Sequence, residues 1–289
     1  MNKPKVLLTG GAGMLGKTLF DQFAIDNQFE VQTTDYEDMD ITNSDSIDNY
    51  LNNFEPDFLI NCAAYTDVNG AEDNPELANK INALGPDLLA KATKDRNIGF
   101  IHISTDYVFG ENLKEGYDES TQFQTEALNQ YGKSKRKGEQ MARESNLETR
   151  IVRVSWTYGP HRRNFVDVML ELAKTKDELS IVDDEFGVPT YTKNVSDSLI
   201  QMLKDFESTE PGIYHAVSEG FCSRFEEAEF IFKTAGIDIK LTRIKLADYP
   251  RKAVVPNYSI LHNTKLPKLP TWQEAIEEYL ADKKVNPSS

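Results

Sequence analysis

Long apolar runs are missing from this chain of 289 residues. Its longest, such as Val6-Leu7-Leu8 and Phe58-Leu59-Ile60, fall far short of the length needed to cross a bilayer. Two lysines lead to Gly10 with no signal-peptide h-region and no small-residue cleavage site, so nothing there signals export. Cysteine is scarce too. Cys62 and Cys222 are the only two, neither in a C-x-x-C arrangement, and reduced thiols in a cytoplasm are the expectation. His102, His161, His215 and His262 are scattered without metal-ligand spacing, so no metal site is expected. Positive charge is also short: 32 Lys and Arg against 47 Asp and Glu leave a net charge of -15. That disfavours nucleic acid and acidic membranes as partners, and an anionic ligand would need local help from helix N-termini or a few Arg and Lys.

What remains is the composition of a soluble globular protein, 39% hydrophobic and 27% charged, with no internal repeat or low-complexity segment. The length suits one large domain, or one with a smaller lobe. Only the tail from Lys283 to Ser289 reads as frayed.

Lys5-Val6-Leu7-Leu8-Thr9 reads as a buried strand, followed at once by Gly10-Gly11-Ala12-Gly13-Met14-Leu15-Gly16 and an amphipathic helix to about Ile25. Gly10, Gly13 and Gly16 permit a tight turn and close backbone approach to a diphosphate, whose charge the helix N-terminus then meets. A glycine-rich turn without a ligand is the plain alternative. A second strand, Glu30 to Thr34, ends at Asp35, where a carboxylate can accept from an adenosine ribose. Asp35-Tyr36-Glu37-Asp38 carries no Arg or Lys, so a 2′-phosphate would meet repulsion. NAD(H) is therefore the expected cofactor, with NADP(H) the alternative.

A helix to about Phe54, a third strand over Asp57 to Asn61, a helix over Pro75 to Lys94 and a fourth strand over Phe100 to Ile103 continue the alternation. That pattern predicts a doubly wound parallel α/β sheet, with ligands beyond the carboxyl ends of its strands. Ser104-Thr105-Asp106 lies at such an end, although these residues also cap turns. A basic helical run from Asn129 to Glu144 then carries Tyr131 and Lys135, four apart and so on one face. An ammonium beside a phenol favours the phenolate, lowers its pKa and makes a general acid or base. By itself the spacing is common on solvated helices. Thr149 to Val154 is a further strand, and helices are expected near Phe165–Lys174, Asn194–Phe206, Ser223–Thr234 and Trp272–Ala281.

Together, the glycines, Asn61-Cys62-Ala63-Ala64, Ser104-Thr105-Asp106 and Tyr131-x-x-x-Lys135 resemble the extended short-chain dehydrogenase/reductase superfamily. More narrowly, Ala63-Ala64-Tyr65-Thr66, Arg153-Val154-Ser155-Trp156 and Glu185-Phe186-Gly187-Val188-Pro189-Thr190 resemble dTDP-4-dehydrorhamnose reductases, and the likeness covers nearly the whole chain. The resemblance implies a Rossmann-like fold, with residues 1–160 as the NAD(P)-binding domain. Residues 161–289 would be mainly a smaller substrate lobe, some segments returning to the main sheet. It implies reduction of the 4-keto group of a nucleotide-linked 6-deoxyhexose, with a nucleotide sugar as partner. Thr105, Tyr131 and Lys135 would be catalytic, Thr105, Asp106 and Trp156 substrate-binding. Cofactor positions fall on Gly10, Gly13, Met14, Leu15, Gly16, Asp35, Asp40, Ile41, Ala63, Ala64, Tyr65 and Ile103, besides Tyr131 and Lys135. Two readings stay open beside it: another nucleotide-sugar reductase or epimerase, and a non-catalytic NAD(P)-binding regulatory subunit. The sequence is silent on oligomeric state, and a homodimer stays open.

The sequence also departs from the family pattern. Val68-Asn69-Gly70-Ala71-Glu72 stands where Val-Asp-x-Ala-Glu is common, and Val255 occupies a usual Arg position. His161-Arg162-Arg163 replaces a glycine-rich turn, bringing charges that would meet a diphosphate or else form a solvated basic loop.

Overall fold

The computed structural model describes residues 3–285. Its first half alternates strands and helices: β1 (Lys5–Thr9), α1 (Met14–Asp26), β2 (Glu30–Thr34), α2 (Ser44–Phe54), β3 (Phe58–Asn61), α3 (Val68–Asp73), α4 (Pro75–Asn79), α5 (Gly85–Arg96), β4 (Gly99–Thr105), α6 (Gln130–Ser145) and β5 (Arg150–Val154). The second half is shorter-grained: β6 (Thr157–Tyr158), α7 (Phe165–Leu172), β7 (Glu178–Val182), β8 (Phe186–Gly187), β9 (Thr190–Tyr191), α8 (Thr192–Lys204), β10 (Gly212–His215), β11 (Cys222–Ser223), α9 (Arg224–Ala235), β12 (Lys240–Ile244) and α10 (Trp272–Val285).

Six strands make one sheet in the order β10-β5-β4-β3-β1-β2, every neighbouring pair parallel. Period-two alternation explains its two buried faces. Val6 and Leu8 of β1 join Leu19 and Phe23 of α1 with Val195 and Leu199 of α8. Leu7 points the other way, to Ile47 and Leu51 of α2 and Leu89 of α5. Each such aliphatic side chain, taken fully out of water, contributes about 1.5–3 kcal/mol. The doubly wound sheet is therefore covered on both faces, as the alternation of elements predicts. A separate apolar cluster holds the second half together, with Val166 and Met169 of α7, Phe225 and Ile231 of α9, and Trp272, Ile276 and Tyr279 of α10.

Three features differ from the sequence reading. The helix expected across Pro75 to Lys94 is two helices joined by a π turn at Lys80–Leu84. β10 was not expected as a strand, yet it completes the main sheet beside β5, while α8 packs on α1. The tail is ordered further than expected, for Lys283 lies in α10 and pairs with Asp167 at 2.6 Å. Residues 286–289 lie outside the described residues.

Because β1 leads to β2 on one side and β3 on the other, strand order reverses between β1 and β3. A cleft opens beyond the carboxyl ends of these strands, where ligands bind in open α/β sheets.

Candidate active site

The cleft encloses about 720 Å³ and runs from Asp35 and Tyr36 past the glycine turn to Tyr131 and Lys135. Gly10, Gly13, Met14, Leu15 and Gly16 form its floor, and Asp40, Ile41, Ala63, Ala64 and Ile103 also line it. The three glycines have separate reasons. Gly10 sits at φ +69° with a would-be Cβ 2.6 Å from the Ala63 nitrogen, so the turn itself demands glycine. At Gly16 a Cβ would lie 2.2 Å from the Gly10 oxygen, a constraint of helix-to-turn packing. Gly13 has ordinary dihedrals, φ -71° and ψ 162°, and its Cβ would meet only the Gly10 oxygen at 3.1 Å. Of the three glycines, Gly13 is the one that protein atoms constrain least. Gly13 is also the N-cap of α1 and no side chain caps that terminus, which leaves first-turn N–H groups for an anion. Asp35 accepts from the Ala12 N–H at 2.9 Å and so ties the end of β2 to the turn.

At the other end, α6 carries Tyr131 and Lys135 into the cleft wall. Asn129 caps the helix by accepting from the Gly132 N–H at 2.8 Å. Gly132 lets the helix approach, since a Cβ there would fall 2.1 Å from the Tyr107 oxygen. The Tyr131 phenol thereby reaches hydrogen-bonding range of Thr105, at the end of β4. Lys135 is buried, and its ammonium donates to the Ile103 carbonyl at 2.6 Å and lies 3.5 Å from His102 Nε2. Asn61 supports that ring, its Nδ2 lying 2.9 Å from His102 Nδ1 while its Oδ1 accepts from Thr9 at 2.5 Å and from the Ala63 N–H at 3.1 Å. A chain of polar contacts thus links β1, β3 and β4 to Lys135.

Burial sets the electrostatics. It lowers the Lys135 pKa to about 8, against an opposing pull from Glu139, and keeps His102 neutral far below its usual range. Tyr131 does not show the lowered pKa that a neighbouring ammonium implies. Desolvation pushes it up to about 12, the Thr105 hydrogen bond opposing and the Asp106 charge adding to the rise. The physical reason is geometric: the Lys135 ammonium is turned onto the Ile103 carbonyl.

Asp106 follows Thr105 and is only 3% exposed. Its oxygens accept from Thr105 at 2.8 Å and Ser155 at 2.9 Å, with Ser259 a third partner, and burial raises its pKa. Hydroxyls of the protein therefore occupy most of its acceptor positions, so its firmest contact is with Thr105. Trp156 sits at φ +40° with its indole against Gly187 and under the Arg224 guanidinium, 3.3 Å from the ring centre. Thr105, Asp106 and Trp156 lie outside the cleft wall, toward the second half of the chain; Tyr65 is off the wall too, its backbone N–H donating to Asn82 Oδ1 at 2.8 Å.

Sequence reasoning missed several groups here. His102 and Asn82 gave no signal, because each acts through a partner far away in sequence. Glu185 pairs with Arg251 at 2.8 Å, and Arg224 pairs with Glu227 at 2.9 Å. Burial raises Glu227 to about 7, Arg224 opposing. Among the described residues, no group of three His, Cys, Asp or Glu could hold a metal ion, and no helix is long and apolar enough to cross a membrane.

A glycine turn at the switch point of a doubly wound sheet, with Tyr and Lys on one helical face beside it, defines a Rossmann-like fold of the short-chain dehydrogenase/reductase type. The chain belongs to the RmlD substrate binding domain family, whose model matches residues 4–285. It is 37% identical over 288 residues to the dTDP-4-dehydrorhamnose reductase of Mycolicibacterium smegmatis, covering 96% of this chain and 85% of that one. Among solved structures, a dTDP-4-dehydrorhamnose reductase from Clostridium acetobutylicum superposes with a TM-score of 0.91 at 36% identity, covering 97% of this chain and 99% of that one. The Bacillus anthracis reductase, solved in complex with NADP, also has a TM-score of 0.91, at 34% identity, covering 97% and 100%.

Proposed function

We propose that this chain uses NAD(P)H to reduce the 4-keto group of a nucleotide-linked 6-deoxyhexose, converting dTDP-4-dehydro-L-rhamnose to dTDP-L-rhamnose. The observation that carries the reading is that Tyr131 and Lys135 line one end of a cleft, with Thr105 just behind Tyr131, while the other end is an uncapped, glycine-floored helix N-terminus. The reductase names of relatives matched over nearly the whole chain support the substrate class.

When bound, NAD(P)H supplies the hydride that adds to C4. Gly13, Met14 and Leu15 would hold its diphosphate through backbone N–H groups, and Asp35 its adenosine ribose. Asp40, Ile41, Ala63, Ala64 and Ile103 would flank it. Gly10 and Gly16 shape the turn, and Tyr65 shapes the strand end behind Ala64.

Tyr131 delivers the proton from Oη to the keto oxygen as that oxygen gains charge. With its pKa raised to about 12, the phenol holds its proton at neutral pH, the form that reduction needs. Thr105 Oγ1 orients and polarises the same oxygen. Asp106 positions Thr105, to which it is hydrogen-bonded. A turn of the Lys135 ammonium from the Ile103 carbonyl toward Tyr131 would stabilise the phenolate left behind, which takes a proton back from solvent. Trp156 offers an aromatic face to the sugar or base. In this reading residues 1–160 hold the cofactor and most of residues 161–289 the sugar nucleotide, NADH is accepted at Asp35, and the chain acts in the cytoplasm. Association into a homodimer is an addition the reading does not need.

The test is oxidation of NADH and NADPH by purified protein with dTDP-4-dehydro-L-rhamnose, the sugar product identified by mass and NMR. Stoichiometric dTDP-L-rhamnose supports the reading. Tight cofactor binding without turnover on this or related 4-keto sugars overturns it in favour of a regulatory subunit.

A further inference from the structure

We propose that Arg162 is the residue through which the cleft accepts the 2′-phosphate of NADPH, so that the chain uses both cofactor forms. This rests on the NAD(P)H reading above and deepens it.

The ribose end of the cleft is marked by Asp35, and the segment Asp35-Tyr36-Glu37-Asp38 supplies three carboxylates and no cation. A 2′-phosphate placed there needs positive charge from outside that segment. Four cationic side chains line the cleft: Lys80, Lys135, Arg162 and Arg163. Lys135 is buried at the opposite end on the Ile103 carbonyl. Arg163 is engaged with Glu171 at 2.8 Å. Lys80 stands on the π turn and makes no hydrogen bond to the glycine turn or to Asp35 among the described residues.

Arg162 is placed differently. Its Nε and Nη2 donate to the Ala12 carbonyl at 3.2 and 3.1 Å, and the N–H of that same Ala12 donates to the Asp35 carboxylate at 2.9 Å. One residue of the turn therefore joins the guanidinium to the ribose-marking carboxylate. Arg162 is exposed and forms no ion pair among the described residues, so its only partner there is a neutral carbonyl oxygen. Exchanging that oxygen for a phosphate gives charge-assisted hydrogen bonds to a guanidinium fork. The segment carrying Arg162 is fastened on both sides. His161, at φ +73°, reaches Asp21 of α1 at 2.7 Å, and Asn164 donates to the Arg162 carbonyl at 3.3 Å and the Gly159 carbonyl at 2.8 Å. The arginine is thus delivered by the second half of the chain across the cleft, at a position the acidic strand end cannot reveal.

Equilibrium binding of NADPH and NADH, by calorimetry or nicotinamide fluorescence, tests this on wild type, Arg162→Ala and Arg162→Lys. Arg162→Ala should lower the NADPH-to-NADH affinity ratio about tenfold or more, and Arg162→Lys should restore part of it by keeping the charge. Competition by 2′,5′-ADP relative to 5′-AMP should move in parallel. An unchanged ratio, or equal losses for both cofactors, overturns the proposal while leaving the NAD(P)H reading intact. Failure of the wild type to bind either cofactor overturns that reading, and this inference with it.

Discussion

The two ends of the cleft are built by different means. At the glycine end, the proposed seat of the nucleotide, the cleft is shaped by backbone within a few residues of β1: a left-handed Gly10, a Gly16 that permits contact, and a Gly13 that leaves space. At the chemical end, side chains converge from β3, β4, β5, α6 and the segment around Ser259, and burial governs them. Lys135 and His102 are pushed toward neutrality, while Asp106 and Tyr131 are pushed toward holding their protons. A site for the shape of an anion can be encoded locally and sterically. A site for moving a proton needs a low-dielectric pocket, which only the assembled fold provides.

Substitutions at the two ends should therefore fail in different ways. Apart from loss of the proton donor Tyr131 itself, the largest effect is expected at Lys135. Lys135→Met should lower kcat about 10²–10³-fold, because the phenolate loses its compensating charge, and pre-steady-state hydride transfer would register the loss. Next come the glycines. Gly16→Ala forces a Cβ to 2.2 Å from the Gly10 oxygen and should cost about 1–3 kcal/mol, lowering Tm by several degrees in a thermal melt. Asp106→Asn keeps the shape of the side chain but weakens its hold on Thr105. Its kcat should fall about tenfold with NADH affinity unchanged, a split measurable by steady-state kinetics beside calorimetry.

The smallest effect is one of pH. With Lys135 at about 8 and Tyr131 at about 12, kcat/KM should decline as pH rises through about 8, and the declining limb belongs to the lysine. Stability should decline on the other side. Burial lowers both His102 and His215 below 6.5, so the unfolded chain binds protons that the fold refuses. The histidine contribution to the denaturant midpoint should therefore hold above pH 6.5 and be lost as the pH falls below it. Glu227, raised to about 7, contributes in the opposite sense, so His215→Gln beside the wild type reads the histidine part.

That contrast also explains what could be read in the sequence. β1 and β2 were legible to the residue, because a short apolar run ending in Gly10-Gly11 and a β-branched segment, Val31, Thr33 and Thr34, ending in Asp35 are local signals. The face shared by Tyr131 and Lys135 was legible from helical spacing alone. The state of Tyr131 was not. Spacing suggests a phenol lowered by its neighbour, whereas desolvation and the turning of Lys135 toward Ile103 are properties of the fold. β10 was missed because Gly212-Ile213-Tyr214-His215 is short and its partner, β5, lies far back in the chain. For the same reason His102, Asn82 and Arg224 stayed silent, and Arg162 read only as one of several charges, for a diphosphate or for a solvated basic loop.

The most direct test compares Gly13→Ala with Tyr131→Phe, measuring NADH affinity and turnover on the same preparations. Gly13→Ala should weaken NADH about tenfold while folding normally and turning over at saturating cofactor. Tyr131→Phe should bind NADH as the wild type does and lose about 10²–10⁴-fold in kcat. Turnover retained in Tyr131→Phe, or NADH affinity unmoved by Gly13→Ala, would contradict the division of the cleft into a nucleotide end and a proton-transfer end.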